Sequence, residues 1–220
     1  DVTNVIKMAG AYVSGGVCSQ VGTYTNRWTV ADDCGNVSAV FTQIITVTDN
    51  TAPIWITAPG DINRTVECSD AAGLAAAMAL FPSASDNCVV NVSGTSKVSG
   101  LFVPSATCAQ DGTYTNTWTV SDGCGNTSAV YVQVITLVDN SGPVINCPAS
   151  NAFSCDSPSF DPSITGTATV TDNCDANPAL TWADAFVPGA CPGNYQIIRT
   201  WTATDACGNS SSCIQTIFVQ

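Results

Sequence analysis

Apolar and polar positions alternate with a period of two along most of this chain, and a helical period surfaces only once. The stretches "TYTNRWTV" (23–30) and "AVFTQIITV" (39–47) are rich in Thr, Val, Ile and aromatics, the residues that suit a pleated, half-buried surface. They flank "ADDCGN" (31–36), so the pattern predicts a β-hairpin with a tight turn. Gly35, with Gly125 and Gly208 at the corresponding places, supplies the left-handed position such a turn needs, and Asn36, Asn126 and Asn209 stand beside them. Alternation puts Tyr24, Trp28 and Val30 on one face, and Tyr114, Trp118 and Val120 on another, which predicts core. Asn26, Asn116 and Arg199 interrupt those stripes, and the expectation is that the strand leaves the core there. The helix runs from Ser69 or Asp70 as N-cap through an Ala-rich turn or two and stops at Pro82. Its place is taken later by "DSPSFDPSITG" (156–166), read as a loop. The remainder is short strands between Gly, Pro, Asn and Asp, the spacing of an all-β sandwich.

The pattern also repeats. "WTVADDCGNVSAV" (28–40) returns as "WTVSDGCGNTSAV" and again as "WTATDACGNSSSC". Gly22–Pro53 and Gly112–Pro143 share 21 of 32 positions without a gap, so the chain reads as tandem units stacked on one another. Borders fall at "TDNTAP" (48–53) and "VDNSGP" (138–143), where a strand ends in Asp-Asn and the chain restarts at Pro, a short stiff joint. This gives a truncated first repeat at 1–50, a second repeat at 51–140 and a third at 141–220. Asp1 matches Asn91, so the counterpart of Thr51 through Val90 is missing from the first, and both chain ends read as cuts through a longer array. The fold class expected is all-β: immunoglobulin-like sandwiches in tandem, arranged as a disulfide-stapled rod that gains on the order of 40 Å per repeat.

Units of this size bury a modest core and call for reinforcement. Twelve cysteines are available, with no His and no Cys-x-x-Cys, so disulfides are favoured over zinc and an oxidising compartment is implied. The first half-unit holds only Cys18 and Cys34, a spacing repeated by Cys108 and Cys124 and by Cys191 and Cys207. If the half-unit is self-contained, those are three bridges; subtraction then leaves Cys68 with Cys88, Cys155 with Cys174, and Cys147 with Cys213 on first and last strands. Partners upstream of the half-unit would undo the scheme.

The motifs "DNC" (86–88 and 172–174), "CPGNYQIIRTWTATDACGNSSSCIQTIFV" (191–219) and "VTDNTAPIW" (47–55) resemble the hyalin repeat, in the cysteine-rich HYR-like version found in tandem in very long surface proteins of Bacteroidota. The resemblance covers essentially the whole chain. It implies immunoglobulin-like sandwiches and cell adhesion, and it points to a type IX secretion substrate of the gliding-motility adhesin kind. The first two units depart from the pattern in lacking counterparts of Cys147 and Cys213.

Charge and chemistry narrow the function. Five Lys plus Arg against 17 acidic residues give a net charge of -12, which argues against nucleic acid or an anionic membrane as partner. The longest apolar run, Ala71–Phe81, is too short to span a bilayer. No histidine, nucleophile elbow or metalloprotease motif is present, so no enzyme is expected. A carbohydrate-binding module is the alternative; Trp55 and Trp182 lie outside the repeated strand, and packing near a joint or sheet edge is their plainer reading. The favoured function is a non-enzymatic extracellular stalk or filament segment of a cell-surface adhesin. Its partners would be a surface polysaccharide, another cell-surface ligand, or neighbouring copies in a self-assembling fibre. All acids but Glu67 are Asp, a bias toward turns and oxygen-ligand cation sites. In a sandwich tandem the last strand of one domain ends near the loops of the next. Asp49 and Asn50 are thus expected to approach Asp122, Asp86 and Asn87, and Asp139 and Asn140 to approach Asp205, Asp172 and Asn173, as candidate Ca²⁺ sites. The plainer reading of the same residues is as turn and capping residues; Ca²⁺ binding by calorimetry and melting with chelator separate the two.

Overall fold

The computed structural model describes residues 4–16, 18–88, 94–191 and 193–220; the match of Asp1 to Asn91 lies outside them. The described chain is mostly β, folded as disulfide-bridged β-sandwich repeats. In the first repeat, Gly22–Ala31 pairs antiparallel with Asn4–Met8 and Tyr12–Ser14 on one side and Phe41–Val47 on the other. In the second, the sheet order is Arg64–Glu67, Tyr131–Val138, Gly112–Ser121, Gly94–Val98, with Val103–Pro104 also on Gly112–Ser121. The third has Asn151–Phe153, Ser210–Val219, Tyr195–Thr204, Ala179–Pro188. Small second sheets pair Ile54–Trp55 with Ala84–Ser85 and Val144–Asn146 with Thr169–Thr171. Arg64–Glu67 and Asn151–Phe153 each run parallel to the last strand of their repeat. By contacts the chain parts into two compact units, Asp1–Ile62 with Phe81–Gly100 and Asn116–Gln133, and Asn63–Leu80 with Leu101–Thr115 and Val134–Gln220.

The predicted turns form, with Gly35, Gly125 and Gly208 at φ of 85°, 98° and 93°. The hairpins around them differ. In the third repeat the ladder runs unbroken to Thr204↔Ser210. In the first it breaks between the bridge Ala31↔Val37 and the pair Trp28↔Phe41. There the Ser38 hydroxyl takes over from the missing rung, accepting from Val30 N at 3.1 Å and donating to the Ala39 carbonyl at 2.9 Å; Ser128 does the same for Val120. A helix occupies Ala71–Met78, capped by Asp70, whose carboxylate accepts from Gly73 N at 2.8 Å. The stretch read as a loop in the third repeat holds a one-turn helix, Pro162–Thr165, capped by Asp161 with Pro in its first turn.

Trp118, Val120, Trp201 and Ala203 are buried. So are the residues expected to leave the core. Asn116 is fully buried, receiving a hydrogen bond from Gly100 N at 3.3 Å and donating to Gln133 Oε1 at 2.9 Å, while Gln133 donates to the Ile62 carbonyl at 2.7 Å. Asn26 repeats the arrangement with Gly10 and Gln43. Arg199 is 2% exposed and held by Asp184, Thr165 Oγ1 and the Phe160 carbonyl. Polar residues on the core stripe persist because each finds partners across the strand, which removes the desolvation cost of burying them. The first repeat presents the same face open: Phe41 and Ile45 are exposed, whereas their counterparts Tyr131 and Ile135 are buried, Ile135 against Val66 and Ala77.

The cysteines require a correction. Cys18 is bonded to Cys124, Cys68 to Cys174 and Cys108 to Cys207; Cys147 is bonded to Cys213. Cys34, Cys88, Cys155 and Cys191 are free thiols. The bridges Cys18–Cys34, Cys68–Cys88, Cys108–Cys124, Cys155–Cys174 and Cys191–Cys207 are not made. A ten-residue strand separates each of the repeated pairs (Gly22–Ala31, Gly112–Ser121, Tyr195–Thr204). Such a strand spans about 30 Å, so cysteines that look close in sequence stand at its opposite ends, far beyond the Cα separation a disulfide tolerates. Cys68 likewise sits beside the end of the last strand, its N–H on the Val138 carbonyl, while Cys88 lies with Asp49 and Asp86.

Candidate functional site

Each compact unit holds one repeat joint, and the two joints use equivalent residues. At the first, the Asp-Asn pair ending Phe41–Val47 meets the hairpin tip 122–126. Asp122 organises that tip: its carboxylate accepts from Cys124 N, Asn126 N and Asn126 Nδ2 at 2.7–2.8 Å. Burial works against the charge, but the hydrogen bonds from Asn126, Cys124 and Gly125 outweigh it and hold Asp122 below the usual carboxylate range. The tip is thereby stiff, and Asn126 Nδ2 reaches the Asp49 carbonyl at 3.1 Å. Carboxylate oxygens of Asp49 and Asp122 and the Cys124 sulfur lie within 4.8 Å of one another, as do those of Asp49 and Asp86 with Cys88 Sγ. Asp86 caps its own turn, accepting from Cys88 N at 2.9 Å. The Cys88 thiol is pushed up by burial first and then by the charge of Asp49.

The second joint is the same device. Asp205 accepts from Cys207 N, Asn209 N and Asn209 Nδ2, and Asn209 Nδ2 donates to the Asp139 carbonyl at 3.0 Å. Oxygens of Asp139 and Asp205 gather with Cys207 Sγ within 4.8 Å, and Asp139 also gathers with Glu67, Cys68 and Cys174. Asp172 accepts from Cys174 N and Asp175 N at 2.9 and 2.8 Å. Burial raises the Asp139 pKa; the Ser141 N–H opposes it, and the charges of Asp172, Asp205 and Glu67 add to the rise. Among the described residues, Oδ2 of Asp49, of Asp139 and of Asp172 is buried with no hydrogen-bond partner. Asp49 and Asp139 are 7% and 4% exposed. A carboxylate oxygen buried beside other carboxylates and left without a donor is costly unless a cation takes its lone pair.

The donor set fits a hard cation. Only oxygens are common to both joints, because Cys124, Cys174 and Cys207 are spent in disulfides and Cys88 alone keeps a thiol. Oxygen ligands of this kind suit Ca²⁺ and not a thiophilic metal. Asp49, Asp86 and Asp122 come together at the first joint and Asp139 and Asp205 at the second, where Asp172 acts on Asp139 through its charge. Among the amides, Asn50 Nδ2 turns to Thr48 Oγ1, Asn140 offers its backbone N–H to Glu67, and Asn173 Nδ2 goes to Ser69 and Glu67. Asn87 is exposed. Glu67 and Asp111 escaped the sequence reading. Asp111 Oδ1 accepts from Asp139 N at 2.7 Å, and the only signal for Glu67 was its being the single Glu.

Trp55 packs edge-on against Tyr131 and donates to the Ala129 carbonyl at 2.8 Å. Trp182 is half exposed, tilted against Trp201, and stands with Phe186 along a shallow groove over Arg199 and Asp184. Among the described residues no helix is long and apolar enough to cross a membrane.

No family model and no curated protein matches the chain. Solved structures that it resembles at a distance include the protocadherin gamma B7 extracellular cadherin domains 1–4 (13% identity over 98% of this chain and 66% of that one, TM-score 0.36). Drosophila N-cadherin EC1-4 (11% identity, 91% and 59%, TM-score 0.28) and the protocadherin gammaB4 extracellular domain (13% identity, 98% and 45%, TM-score 0.34) are others. The chain thus spans less than two thirds of each, and TM-scores this low carry no argument about its function.

Proposed function

We propose that this chain is a non-enzymatic extracellular segment, a structural or adhesive run of repeats whose joints are fixed by disulfides and by Ca²⁺. One observation carries the reading: the same joint is built twice, from Asp49 gathered with Asp122 and with Asp86, and again from Asp139 gathered with Asp205 and with Glu67, each flanked by an inter-repeat disulfide. A covalent staple plus a cation site at every joint is what a load-bearing connection between small domains needs, and it has no use in a hydrolytic or redox site. Bound there, Ca²⁺ would supply the positive charge that lets neighbouring carboxylates lie within 4.8 Å of one another. Disulfides of this number favour an oxidising, extracellular setting. The HYR-like motifs add the finer reading, a surface adhesin of the gliding-motility kind exported by type IX secretion, with a surface polysaccharide or neighbouring copies as partners.

Antibody to the chain should label intact, unpermeabilised source cells, and soluble chain should compete with their attachment to a surface. Labelling that appears only after permeabilisation overturns the reading. A second reading, glycan binding in the third repeat, is favoured by the groove in which Trp182 and Phe186 flank the Arg199–Asp184 pair, since an aromatic face beside a paired charge suits a sugar ring. Tryptophan fluorescence during titration with surface polysaccharide tests it, with Trp182→Ala as the silent control.

A further inference from the structure

The three inter-repeat bridges obey one rule, and the four free thiols are the positions where the rule has no second cysteine. A loop cysteine bonds the hairpin-tip cysteine of the following repeat: Cys18 to Cys124, Cys108 to Cys207. A cysteine beside the last strand bonds the "DNC" cysteine of the following repeat, Cys68 to Cys174. We propose that Cys34, Cys88, Cys155 and Cys191 are polar connectors for further repeats of this kind. By that rule Cys34 takes the loop cysteine of a repeat on the N-terminal side, Cys88 takes the counterpart of Cys68 in the first repeat, and Cys155 and Cys191 take a repeat on the C-terminal side.

Independent geometry shows these positions preformed. Around Cys34, Asp32 accepts from Cys34 N, Asn36 N and Asn36 Nδ2 at 2.8–2.9 Å, the bonding that shapes the docked tips at Asp122 and Asp205. Yet Asp32, Cys34 and Asn36 are exposed where Asp122 and Asp205 are buried. The side-chain bonds of Asn36 stop at Asp32, whereas those of Asn126 and Asn209 continue to the carbonyl of the preceding repeat's Asp. Cys88 sits in the Asx turn that holds Cys174, and Cys155 N donates to the Gln220 carbonyl as Cys68 N does to Val138. Cys191 is exposed; its counterparts Cys18 and Cys108 are 9% and 4% exposed and bonded.

Bond formation needs an oxidant of the disulfide class, such as oxidised glutathione. The Cys191 thiolate attacks it and releases one glutathione. The Cys34 thiolate of the next repeat displaces the other, so one disulfide is reduced, one is formed, and the two thiol protons leave with two glutathiones. The further repeat is supplied either by the same polypeptide or by a second molecule.

The test uses the chain in glutathione redox buffer with Cys88→Ser and Cys155→Ser as background. Adding Cys34→Ser or Cys191→Ser should abolish the reducible ladder, and mixing those two variants should restore a dimer, and only a dimer, through Cys191–Cys34. Non-reducing peptide maps of the native protein then separate the sources: links of the same classes within one polypeptide without a ladder, or between molecules with one, both uphold the rule. Dimers formed by either variant alone, links joining Cys34 to Cys88 or Cys155 to Cys191, or four thiols still reduced in the oxidised native protein overturn it.

Discussion

Replacing Asp139 by Asn should have opposite effects on this protein with and without calcium. Carboxylate oxygens of Asp139 and Asp205 lie within 4.8 Å of each other, and two unit charges at that distance repel by about 3.5 kcal/mol at an effective dielectric constant of 20. Both residues are nearly buried, at 4% and 6% exposure, so screening removes only part of it. Without metal, Asp139→Asn deletes that repulsion and should raise the melting temperature or leave it level. With Ca²⁺ at a hundred times its Kd, binding contributes about 2.7 kcal/mol, or about 5–10 °C for a chain of this length, and the variant should lose most of that gain. Acid makes the same point. The Asp139 pKa is raised above its ordinary 3.8, so its ionised form costs stability at neutral pH, and that cost is relieved as pH falls through the raised value toward 3.8. Asp122, whose pKa is lowered, contributes in the other direction, and its share is lost only below 3.8. Metal-free protein should therefore gain from Asp139 on mild acidification, whereas Ca²⁺-loaded protein should lose its ion. Calorimetric titration and melting curves in Ca²⁺ or chelator read both. No binding heat together with a melting temperature indifferent to chelator would refute the cation site.

Three further outcomes follow from the packing. Cys108→Ala with Cys207→Ala opens a loop of 99 residues and should cost about 4–5 kcal/mol by restored chain entropy, read as a lower urea midpoint; an unchanged midpoint would deny the bridge. Asn116→Ala removes the acceptor of the Gly100 N–H and a donor to Gln133 Oε1 inside the second repeat and should cost about 1–3 kcal/mol in chemical unfolding. Arg199→Ala leaves a cavity beside Asp184 and strips Thr165 and Phe160 of a donor; a loss of about 1–3 kcal/mol is expected, whereas Arg199→Met should recover part of it by filling the space.

Strands, turns and the helix were legible because each is written locally: alternation at Tyr114, Trp118 and Val120, glycine at the left-handed corner, Asp70 before an Ala-rich run. Asn26, Asn116 and Arg199 were not, since a polar residue on a core stripe reads as an exit until its partners are known. Those partners, Gln43, Gln133, and Asp184 with Thr165, lie on other segments. The Ser38 and Ser128 bulges were hidden for a similar reason, as a side chain standing in for a backbone rung leaves no mark on the hydrophobic period. The acidic joints fall between these cases. Asp49 meets Asp86 and Asp122, and Asp139 meets Asp205, because sandwich topology carries the end of one strand to the loops of the next, while Glu67 and Asp111 arrive from segments that no repeat alignment singles out.

Cysteine pairing shows where the limit lies. Spacing of 16 residues invites a local bridge only if the intervening chain turns back, and the residues between Cys18 and Cys34 are the ones that argue most strongly for a straight strand. Given that strand, each repeat carries its loop cysteine at one end and its hairpin-tip cysteine at the other, and translation by one repeat brings the two ends together. The unpaired thiols then follow from the same translation rather than from any defect in the fold. Sequence repetition thus held the pairing rule all along, in the distance along a strand instead of the distance along the chain. Any tandem β-sandwich with a cysteine before its central strand and another after it should be read for bridges between repeats before bridges within them.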